Sequence, residues 1–543
     1  MPPGPVRSGA WSVLVLAAAV AVQLPIHDRS LVPLDEGQLA AIAARLARGQ
    51  VLYRDVYTGI FPGVYHAAAW LFALFGDDLL VLRRAQVGVN ALTALCLWQL
   101  ARRVAAPAWA WLPPVLYLEL VVLDFPGLSM LNYSPLAMLL GLAALLGLLR
   151  FLERGRRSDA LLAGLALGAC ALVKQNFGAL AGLALLGGLV LGGRASAAAI
   201  ATLALGAAAP VVAAAVAFAA AGALPALVDA TLLSIGASQL ESFHDPLPPI
   251  LGAHPDDPRF VFLYTPAALF NYLVRGERLL GLAISPALRG AAIRIAYGGA
   301  LATLFAGVLA ALAATRGDPR RGALRAVALF AGALFLGIFP SAIWSHLAFV
   351  AAPLLVVLAA AADRLDARLA RAARAAGARA ALRVAAAALA LAGGLVAVRI
   401  SADVVRWYPE PLGIARARLR VAPEQRALLR GATAFLERCA GPGEPVFAAP
   451  DLPVLYFLTD RPNATRYDLV IPGKVGDAAI VEALQRSGTR CVVYNPRMYP
   501  QFRPFAELFP EVSHHLESAY HRVAEFGSGD NLWYGLVRAE AAR

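Results

Sequence analysis

Residues 31–66 read LVPLDEGQLAAIAARLARGQVLYRDVYTGIFPGVYH. An apolar run, Trp11 to Leu24, precedes this stretch, and many more apolar runs follow it. The stretch itself contains the adjacent carboxylates Asp35 and Glu36 and the pair Arg54-Asp55. Ionised side chains are costly in the hydrocarbon core of a bilayer. The sequence therefore predicts that residues 31–66 lie at a membrane surface, where they form the floor of a functional site.

The composition places the chain among multi-pass membrane proteins. Of its 543 residues 59% are hydrophobic and 15% are charged, whereas a soluble protein carries about 25% charged residues. Repeated apolar runs of roughly 17–25 residues are typical of membrane-spanning helices. The net charge of +13 comes mainly from arginines in short loops between apolar runs. That distribution indicates membrane topology and not a nucleic-acid partner.

The apolar runs predict about eleven spans. They are residues 10–26, 82–101, 106–123, 132–150, 159–175, 177–193, 196–222, 291–314, 323–340, 343–361 and 384–400. Arginine-rich loops alternate with arginine-poor ones, and cytoplasmic loops carry the positive charge. We therefore expect a cytoplasmic N-terminus and an inner (cell) membrane protein whose outer face carries two long loops, residues 27–80 and 223–290.

The chain is predicted to divide into a transmembrane domain, residues 1–404, and a soluble domain, residues 405–543. In the second part, helices are predicted at 422–439 and 477–485, strands at 444–450 and 491–496, and a hairpin over 521–538. Alternating helices and strands indicate a small α/β domain, which the predicted topology places outside the cytoplasm. The fold class is thus mainly α, with a polytopic helical membrane domain and a C-terminal extracytoplasmic α/β domain.

The four cysteines are too few for a disulfide scaffold. Cys96 and Cys170 lie in apolar segments, where we expect inert core residues. Cys439 and Cys491 share the C-terminal domain and pair only if that domain meets an oxidising compartment, which spacing alone does not decide.

Asp35 begins a predicted amphipathic helix whose apolar positions include Leu39 and Ile42, and Gly49 is its predicted end. Such a helix is expected to lie in the plane of the membrane interface. Asp35 has two interpretations: a helix N-cap, with Gln38 at the capping-box position, or a general base that takes a proton from an acceptor hydroxyl. Neighbouring helical residues point about 100° apart, so Asp35 and Glu36 do not both face one cavity.

The other candidates also have alternative interpretations. Arg54 and Asp55 form either a structural pair in a solvated turn or a site where Arg54 binds an anion and Asp55 orients it. Lys174 either extends to the interface from a span end or binds a phosphate oxygen. His346 is either an interfacial residue or a ligand-binding one, and Asp124 either ends a span or is a second acid in the site. Further substrate-binding candidates are Tyr57, Tyr65, Gln175 and Asn176.

The first outer loop resembles that of the GT-C glycosyltransferases, in particular the bacterial dolichyl-phosphate-mannose-protein mannosyltransferase-like and aminoarabinose transferase-like families. The span arrangement, the Lys174-Gln175-Asn176 turn, a polar stretch ending in His346 and a C-terminal outer domain are similar to the family plan. The residues that carry the first-loop resemblance are Asp35, Glu36, Gly37, Gly49, Leu52, Tyr53, Arg54, Asp55, Pro62, Gly63 and Tyr65.

The resemblance implies a polyprenyl-phosphate-linked sugar donor, an outward-facing cavity, and an acidic residue after the first span as catalytic base. Asp35 takes that role and Glu36 is the alternative. Arg54, Lys174 and His346 are expected to bind the donor phosphate, and attack opposite the phosphate inverts the anomeric centre. The predicted activity is hexosyl or pentosyl transfer to a glycan, lipid or protein acceptor of the cell envelope.

No cofactor and no metal are expected, because no nucleotide-binding motif or zinc-spaced Cys/His set occurs. The competing hypothesis is a transporter or flippase for a lipid-linked or anionic substrate. It explains the spans and Lys174 equally well, but it gives no role to the charged first outer loop.

Overall fold

A computed structural model describes residues 5–234, 244–315, 317–372, 375–472, 475–497 and 504–539. Part of the predicted outer loop 223–290, namely residues 235–243, lies outside the described residues. The chain folds into two compact units. The helical unit comprises Met1–His27, Ala85–Ala214 and Asp245–Asp403, and the mixed unit comprises Asp28–Arg84, Ala215–His244 and Val404–Arg543.

Helices dominate the chain. In order they are α1 Pro5–Gln23, α2 Asp35–Ala47, α3 Gly63–Phe75, α4 Leu79–Val104, α5 Pro107–Ala110, α6 Leu112–Leu123, α7 Tyr133–Arg154, α8 Arg157–Val173, α9 Gln175–Leu191, α10 Ala197–Ala220, α11 Leu224–Val228, α12 Pro258–Tyr264, α13 Ala267–Arg275, α14 Pro286–Ile293, α15 Gly299–Ala313, α16 Arg321–Phe335, α17 Trp344–Arg371, α18 Ala376–Trp407, α19 Pro423–Cys439, α20 Val454–Thr459, α21 Asp477–Ser487, α22 Phe505–Leu508 and α23 Pro510–Ala519.

The chain is an integral membrane protein. Among the described residues, seven helical segments are long and apolar enough to cross a bilayer. They are Leu79–Val104, Tyr133–Arg154, Ala197–Ala220, Pro286–Ala313, Arg321–Ile338, Trp344–Arg371 and Ala376–Trp407. Shorter apolar helices include Gly9–Gln23 and Gln175–Leu191. The mainly helical class is confirmed, and the count of about eleven spans stays a prediction.

Glycines allow close helix packing in the helical unit. A Cβ added at Gly164 of α8 would lie 2.2 Å from the carbonyl oxygen of Leu203 in α10. One helical turn later, a Cβ at Gly168 would lie 2.2 Å from the carbonyl oxygen of Ala207. Small residues four apart let two backbones approach where no larger side chain fits, as in other membrane helix pairs. This contact fixes α8, which ends directly before Lys174.

The predicted helix after Asp35 is present as α2, and Gly49 ends it with φ +89° and an amide that donates to the Leu46 carbonyl. Its apolar face, which includes Leu39 and Ile42, is buried against α3 and α20. A Cβ added at Gly37 would lie 2.5 Å from the backbone nitrogen of Val454, so only glycine permits this approach. Protein, and not lipid, thus covers the face that was expected to rest on the membrane interface.

The mixed unit contains a four-stranded sheet with the order β5-β6-β8-β7. β5 (Val446–Ala449) pairs parallel with β6 (Cys491–Tyr494), while β7 (Tyr520–Phe526) and β8 (Trp533–Arg538) form an antiparallel hairpin. These strands match the predicted ones. Helices α21 to α23 cover the sheet through a core centred on buried Phe447, Ile480 and Leu516. Shorter two-residue strands are β1 Arg278–Leu279, β2 Leu282–Ala283, β3 Glu410–Pro411 and β4 Arg420–Val421.

A disulfide joins Cys439, at the end of α19, to Cys491, at the start of β6, with the Cα atoms 6.0 Å apart. It closes a separation of 52 residues within the mixed unit. Cys96 and Cys170 are free thiols, and buried Cys170 donates to the Ala137 carbonyl. The pairing that spacing left undecided is therefore present in the structure.

The disulfide predicts a simple thiol count. Full-length protein that is denatured without reductant should react with maleimide at two cysteines, Cys96 and Cys170, and at four after reduction. Cys439→Ser/Cys491→Ser should react equally before and after reduction, which controls for incomplete unfolding. Four reactive thiols before reduction, read by mass spectrometry, would contradict the assignment.

Candidate functional site

The first turn of α2 directs its two carboxylates to different surroundings. Asp35 is the first residue of the helix, and Leu34 precedes it as a cap without any side-chain hydrogen bond. Asp35 therefore does not act as the N-cap that sequence reasoning offered as an alternative. Glu36, rotated by about 100° around the helix axis, is 2% exposed.

Glu36 forms a buried bidentate ion pair with Arg83. Arg83 Nε donates to Oε1 at 2.5 Å and Nη2 donates to Oε2 at 2.8 Å. Nη2 also donates to the Ser30 carbonyl, and the Val32 amide donates to Glu36 Oε2. A carboxylate with both oxygens occupied by donors is suited to holding the turn in place and not to taking up a proton.

Asp35 remains accessible at the surface of α2. Its pKa is raised to about 6, first because the surrounding protein displaces water from the carboxylate and second because Glu36 adds a negative charge nearby. The Asp35 carboxylate is thus exposed and is less well solvated than an ordinary surface aspartate. Such a group is ionised near neutral pH and is more basic than an ordinary aspartate, as general-base catalysis requires.

Arg54 and Asp55 form a bidentate pair, with Nε to Oδ1 and Nη2 to Oδ2 both at 2.9 Å. Arg54 Nη1 also donates to the Ala221 carbonyl. The Val51 amide donates to Asp55 Oδ2, and the Arg54 contact keeps the pKa of Asp55 below its usual value. The positive charge of Arg54 is thus largely compensated by its neighbour, which favours the structural interpretation of this pair.

Tyr57 and Tyr65 lie on the same side of the mixed unit as segment 463–468. The Tyr57 ring packs against Tyr467 with centroids 5.3 Å apart, and its amide donates to the Arg466 carbonyl. Tyr65 is buried, hydrogen-bonds Thr58 at 2.9 Å, and lies close enough to Asp35 to interact with it electrostatically. Tyr65 therefore lies near Asp35, whereas Tyr57 contributes to packing.

In the helical unit, Lys174 is the single extended residue between α8 and α9. It is 9% exposed, and its ammonium donates to Ser134 Oγ at 2.8 Å. The ammonium also lies 4.1 Å from the ring centroid of Phe177 and 5.3 Å from that of Tyr133. Within the described residues Lys174 forms no ion pair. Gln175 and Asn176 follow as the half-buried first residues of α9.

His346 lies in the first turn of α17 and interacts electrostatically with both Lys174 and Asp245. Its Nδ1 donates to the Ser341 carbonyl. Asp245 is buried and accepts hydrogen bonds from Ser341 Oγ at 2.7 Å and Arg259 Nη2 at 2.8 Å. The imidazole thus has a fixed orientation beside the lysine, on a turn that Asp245 holds.

Asp124 caps the C-terminus of α6 and is 1% exposed. Its Oδ1 accepts a hydrogen bond from Trp344 Nε1 at 2.7 Å, whereas Oδ2 is buried without a partner among the described residues. Trp344 and His346 share the first turn of α17. Lys174, His346 and Asp124 are therefore linked through one helix end in the helical unit.

Sequence reasoning missed several residues that hold these groups. Arg83 lies 47 positions from Glu36, and Ser134 lies 40 positions from Lys174. Neither has a local motif that identifies its partner. Ser134 alone gave a weak signal, because a polar Asn-Tyr-Ser-Pro sequence opens the span that becomes α7. In the described ranges no group of three His, Cys, Asp or Glu residues could hold a metal ion.

Comparison with known proteins supplies the fold and not the chemistry. No protein-family model matches the sequence, and no curated protein matches it. Among solved structures, ArnT from Cupriavidus metallidurans in the apo state matches with a TM-score of 0.56 at 15% identity, over 98% of this chain and 99% of that chain. ArnT bound to undecaprenyl phosphate gives 0.53 at 16%, over 97% and 98%.

A third similar structure is the archaeal oligosaccharyltransferase AglB from Archaeoglobus fulgidus, in complex with an inhibitory peptide and a dolichol-phosphate. It matches with a TM-score of 0.55 at 13% identity, over 99% of this chain and 75% of that chain. This chain has the GT-C fold. The resemblance that the first outer loop indicated is thereby confirmed at the level of the fold. The chemistry is therefore inferred from the contacts of Asp35 in the mixed unit and of Lys174 and His346 in the helical unit.

The ion pair makes a prediction about stability. Arg83→Met should lower the free energy of unfolding by about 3–5 kcal/mol, because it leaves the buried Glu36 carboxylate without its partner. Glu36→Gln/Arg83→Met should recover much of that loss, because it buries no net charge. Thermal unfolding of the full-length protein in detergent measures both. An Arg83→Met variant as stable as wild type would contradict a structural role for Glu36.

Proposed function

We propose that this protein is a membrane glycosyltransferase that moves a sugar from a polyprenyl-phosphate donor to an extracytoplasmic acceptor. The observation that carries the proposal is the buried Lys174 ammonium, which forms no ion pair with any described residue of a GT-C fold. An uncompensated cation beside apolar helices is costly unless the amine loses its proton or an anion neutralises it. A lipid-linked phosphate has the required charge and reaches the helix end from the bilayer.

Lys174 binds the phosphate of the donor in this proposal. Two of the similar structures hold undecaprenyl phosphate or a dolichol-phosphate, which supports a polyprenyl phosphate as the ligand class. His346 adds a fixed imidazole beside Lys174. Arg54 ranks below both, because Asp55 already compensates its charge. The leaving phosphate gains negative charge in the transition state, and fixed cations stabilise that charge.

Asp35 is the general base. The acceptor oxygen forms a bond to the anomeric carbon while the bond from that carbon to the phosphate oxygen breaks. The electron pair of the broken bond stays on the phosphate, and the acceptor proton passes to the Asp35 carboxylate. Attack opposite the phosphate inverts the anomeric centre. The raised pKa of Asp35 favours this proton transfer, whereas Glu36 is held by Arg83.

The mixed unit is proposed to lie outside the cytoplasm and the N-terminus inside, in the cell (inner) membrane. The Cys439–Cys491 disulfide supports this orientation, because disulfides persist in oxidising compartments. The arginine-rich loops support it independently through the positive-inside rule. The acceptor is then a cell-envelope glycan, lipid or protein.

Asp35 generates a pH-dependence prediction. A carboxylate base is active only when ionised, so the rate of sugar transfer should fall as the pH drops through about 6. Asp35→Asn should lower the rate by about 10²–10⁴-fold and remove that acidic limb. The assay follows release of free polyprenyl phosphate from a short-chain polyprenyl-phosphate sugar, which a transporter would not produce.

Glu424→Gln is the matched control, because Glu424 is an exposed carboxylate in the first turn of α19. It should leave both the rate and the pH profile unchanged. An Asp35→Asn variant with the wild-type profile would remove Asp35 from the reaction.

Lys174 generates a donor-binding prediction. Lys174→Met keeps most of the apolar length of the side chain and removes its charge. It should therefore weaken the free energy of donor binding by about 1.5–3 kcal/mol, the value of a hydrogen bond to a charged group. Lys174→Arg should keep part of the activity, since a guanidinium also binds phosphate. Rates measured against donor concentration separate the two variants. A Met variant equal to wild type at low donor concentration would show that Lys174 only extends to the interface.

A further inference from the structure

A cavity with several charged residues in its lining lies within the mixed unit, between the C-terminal end of α2 and the segment after α20. Its volume is about 350 Å³, and its lining includes Arg45, Arg48, Asp460, Arg461 and Asn463. Ligand pockets span roughly 300–1,000 Å³, so this cavity suits a group of monosaccharide size. We call it the Arg461 pocket. The reaction proposed above gives it no role.

Guanidinium groups outnumber carboxylates at the Arg461 pocket. Arg45 is compensated, because it donates to the buried Asp468 carboxylate at 2.7 Å. Arg48 shares the Asp460 carboxylate with Arg416. Arg416 also pairs with Asp77, so Arg461 is the lining arginine that has no carboxylate partner in the described chain. The pocket therefore carries a surplus of positive charge that an anion would neutralise.

Arg461 is the source of that surplus. Its Nε donates to the Ala440 carbonyl at 3.0 Å and its Nη1 donates to the Thr459 carbonyl at 3.1 Å. In the part of the chain that the structure describes, Arg461 has no carboxylate partner and Nη2 has no acceptor. Two backbone carbonyls therefore fix the guanidinium while leaving its charge and one amino group for a ligand. Such preorganisation lowers the entropy cost of binding.

We propose that the Arg461 pocket binds an anionic sugar residue of the acceptor, that is, a sugar carrying a phosphate or a carboxylate. The anion contacts Arg461 Nη2 and the exposed guanidinium of Arg48. Gln50 also lines the pocket; its Oε1 accepts a hydrogen bond from Arg45 Nε, and its amino group suits a hydroxyl group of a sugar. Naming this ligand as acceptor rests on the proposed glycosyl transfer, whereas the binding itself does not.

The pocket is a remote subsite. Asp35 and Arg45 are ten residues apart on α2, which corresponds to about 15 Å along the helix axis. One sugar residue does not reach both positions. The pocket would therefore hold a part of the acceptor that does not react, and binding energy from remote parts of a substrate serves to orient the reacting group.

Equilibrium dialysis of the full-length protein in detergent tests the proposal. The protein carries Lys174→Met, so that the site proposed for the donor phosphate does not contribute to binding. Radiolabelled glucose 6-phosphate should bind to this protein. Unlabelled glucuronic acid should displace it, whereas neutral glucose should not. Arg461→Gln should weaken binding of glucose 6-phosphate at least about tenfold, the loss expected for one hydrogen bond to a charged group.

Two further variants keep the test decisive. Arg48→Gln alters a half-exposed side chain, is compatible with folding, and should also weaken binding, because it leaves Asp460 less compensated. Arg486→Gln, which removes an exposed arginine of α21, should have no effect. The proposal would be overturned if Arg461→Gln bound glucose 6-phosphate as tightly as the protein that keeps Arg461. It would also be overturned if glucose displaced glucose 6-phosphate as well as glucuronic acid does. Glucose 6-phosphate binding without any sugar transfer would instead contradict the proposed function and leave the pocket as an anionic-sugar site.

Discussion

The buried ion pair between Glu36 and Arg83 determines how the first turn of α2 is presented. It joins the turn to α4, and its additional hydrogen bonds to the backbone of Ser30 and Val32 fix the chain that enters the helix. Because adjacent helical residues point about 100° apart, burying Glu36 leaves Asp35 at the surface. The same carboxylate then contributes to the raised pKa of Asp35. This ion pair thus sets the position of the candidate base, and the Glu36 charge adds the smaller part of its raised pKa, whose main cause is desolvation.

The buried charged side chains of this molecule differ in whether an opposite charge is paired with them. Glu36 and Asp468 are buried, and each accepts hydrogen bonds from an arginine. Lys174 is buried with a hydroxyl and aromatic faces around its ammonium and no ion-pair partner in the described chain. Paired buried charges contribute little net stability but are costly to break, whereas an unpaired one is retained against a cost. Binding of an anion is the physical reason that best accounts for that retention.

The sequence predicted the elements whose signals are local. The bounds of α2, the Gly49 stop, the strands around 446 and 491 and the membrane class all follow from periodicity, composition and turn residues. It also identified Asp35, Lys174 and His346 as candidates from their charge next to apolar runs. It did not identify Arg83 or Ser134, because partners 40 or more residues away depend on tertiary packing.

Packing also bears on interpretations that local patterns left open. Asp35 and Gln38 have the spacing of a capping box, yet Asp35 is already inside the helix and no side chain caps it. The apolar face of α2 has the periodicity of an interfacial helix, yet α3 and α20 cover it. Arg54 has the charge for phosphate, yet its neighbour Asp55 satisfies it. For α2, packing against other helices, which a single sequence does not reveal, takes the place of the membrane interface.

The GT-C fold gives the arrangement of the helices, whereas the candidate side chains bear on the substrate and the reaction. At 13–16% identity, the similar structures establish how the helices are arranged but not which substrate is used. A donor whose polyprenyl chain lies in the bilayer suits an enzyme with a large membrane portion. In the reaction proposed above, the Lys174 ammonium binds the phosphate of that donor, and no nucleotide-binding motif is required. Glycosyl transfer is therefore proposed from two side chains: Lys174, which is buried and forms no ion pair in the described chain, and Asp35, which is exposed.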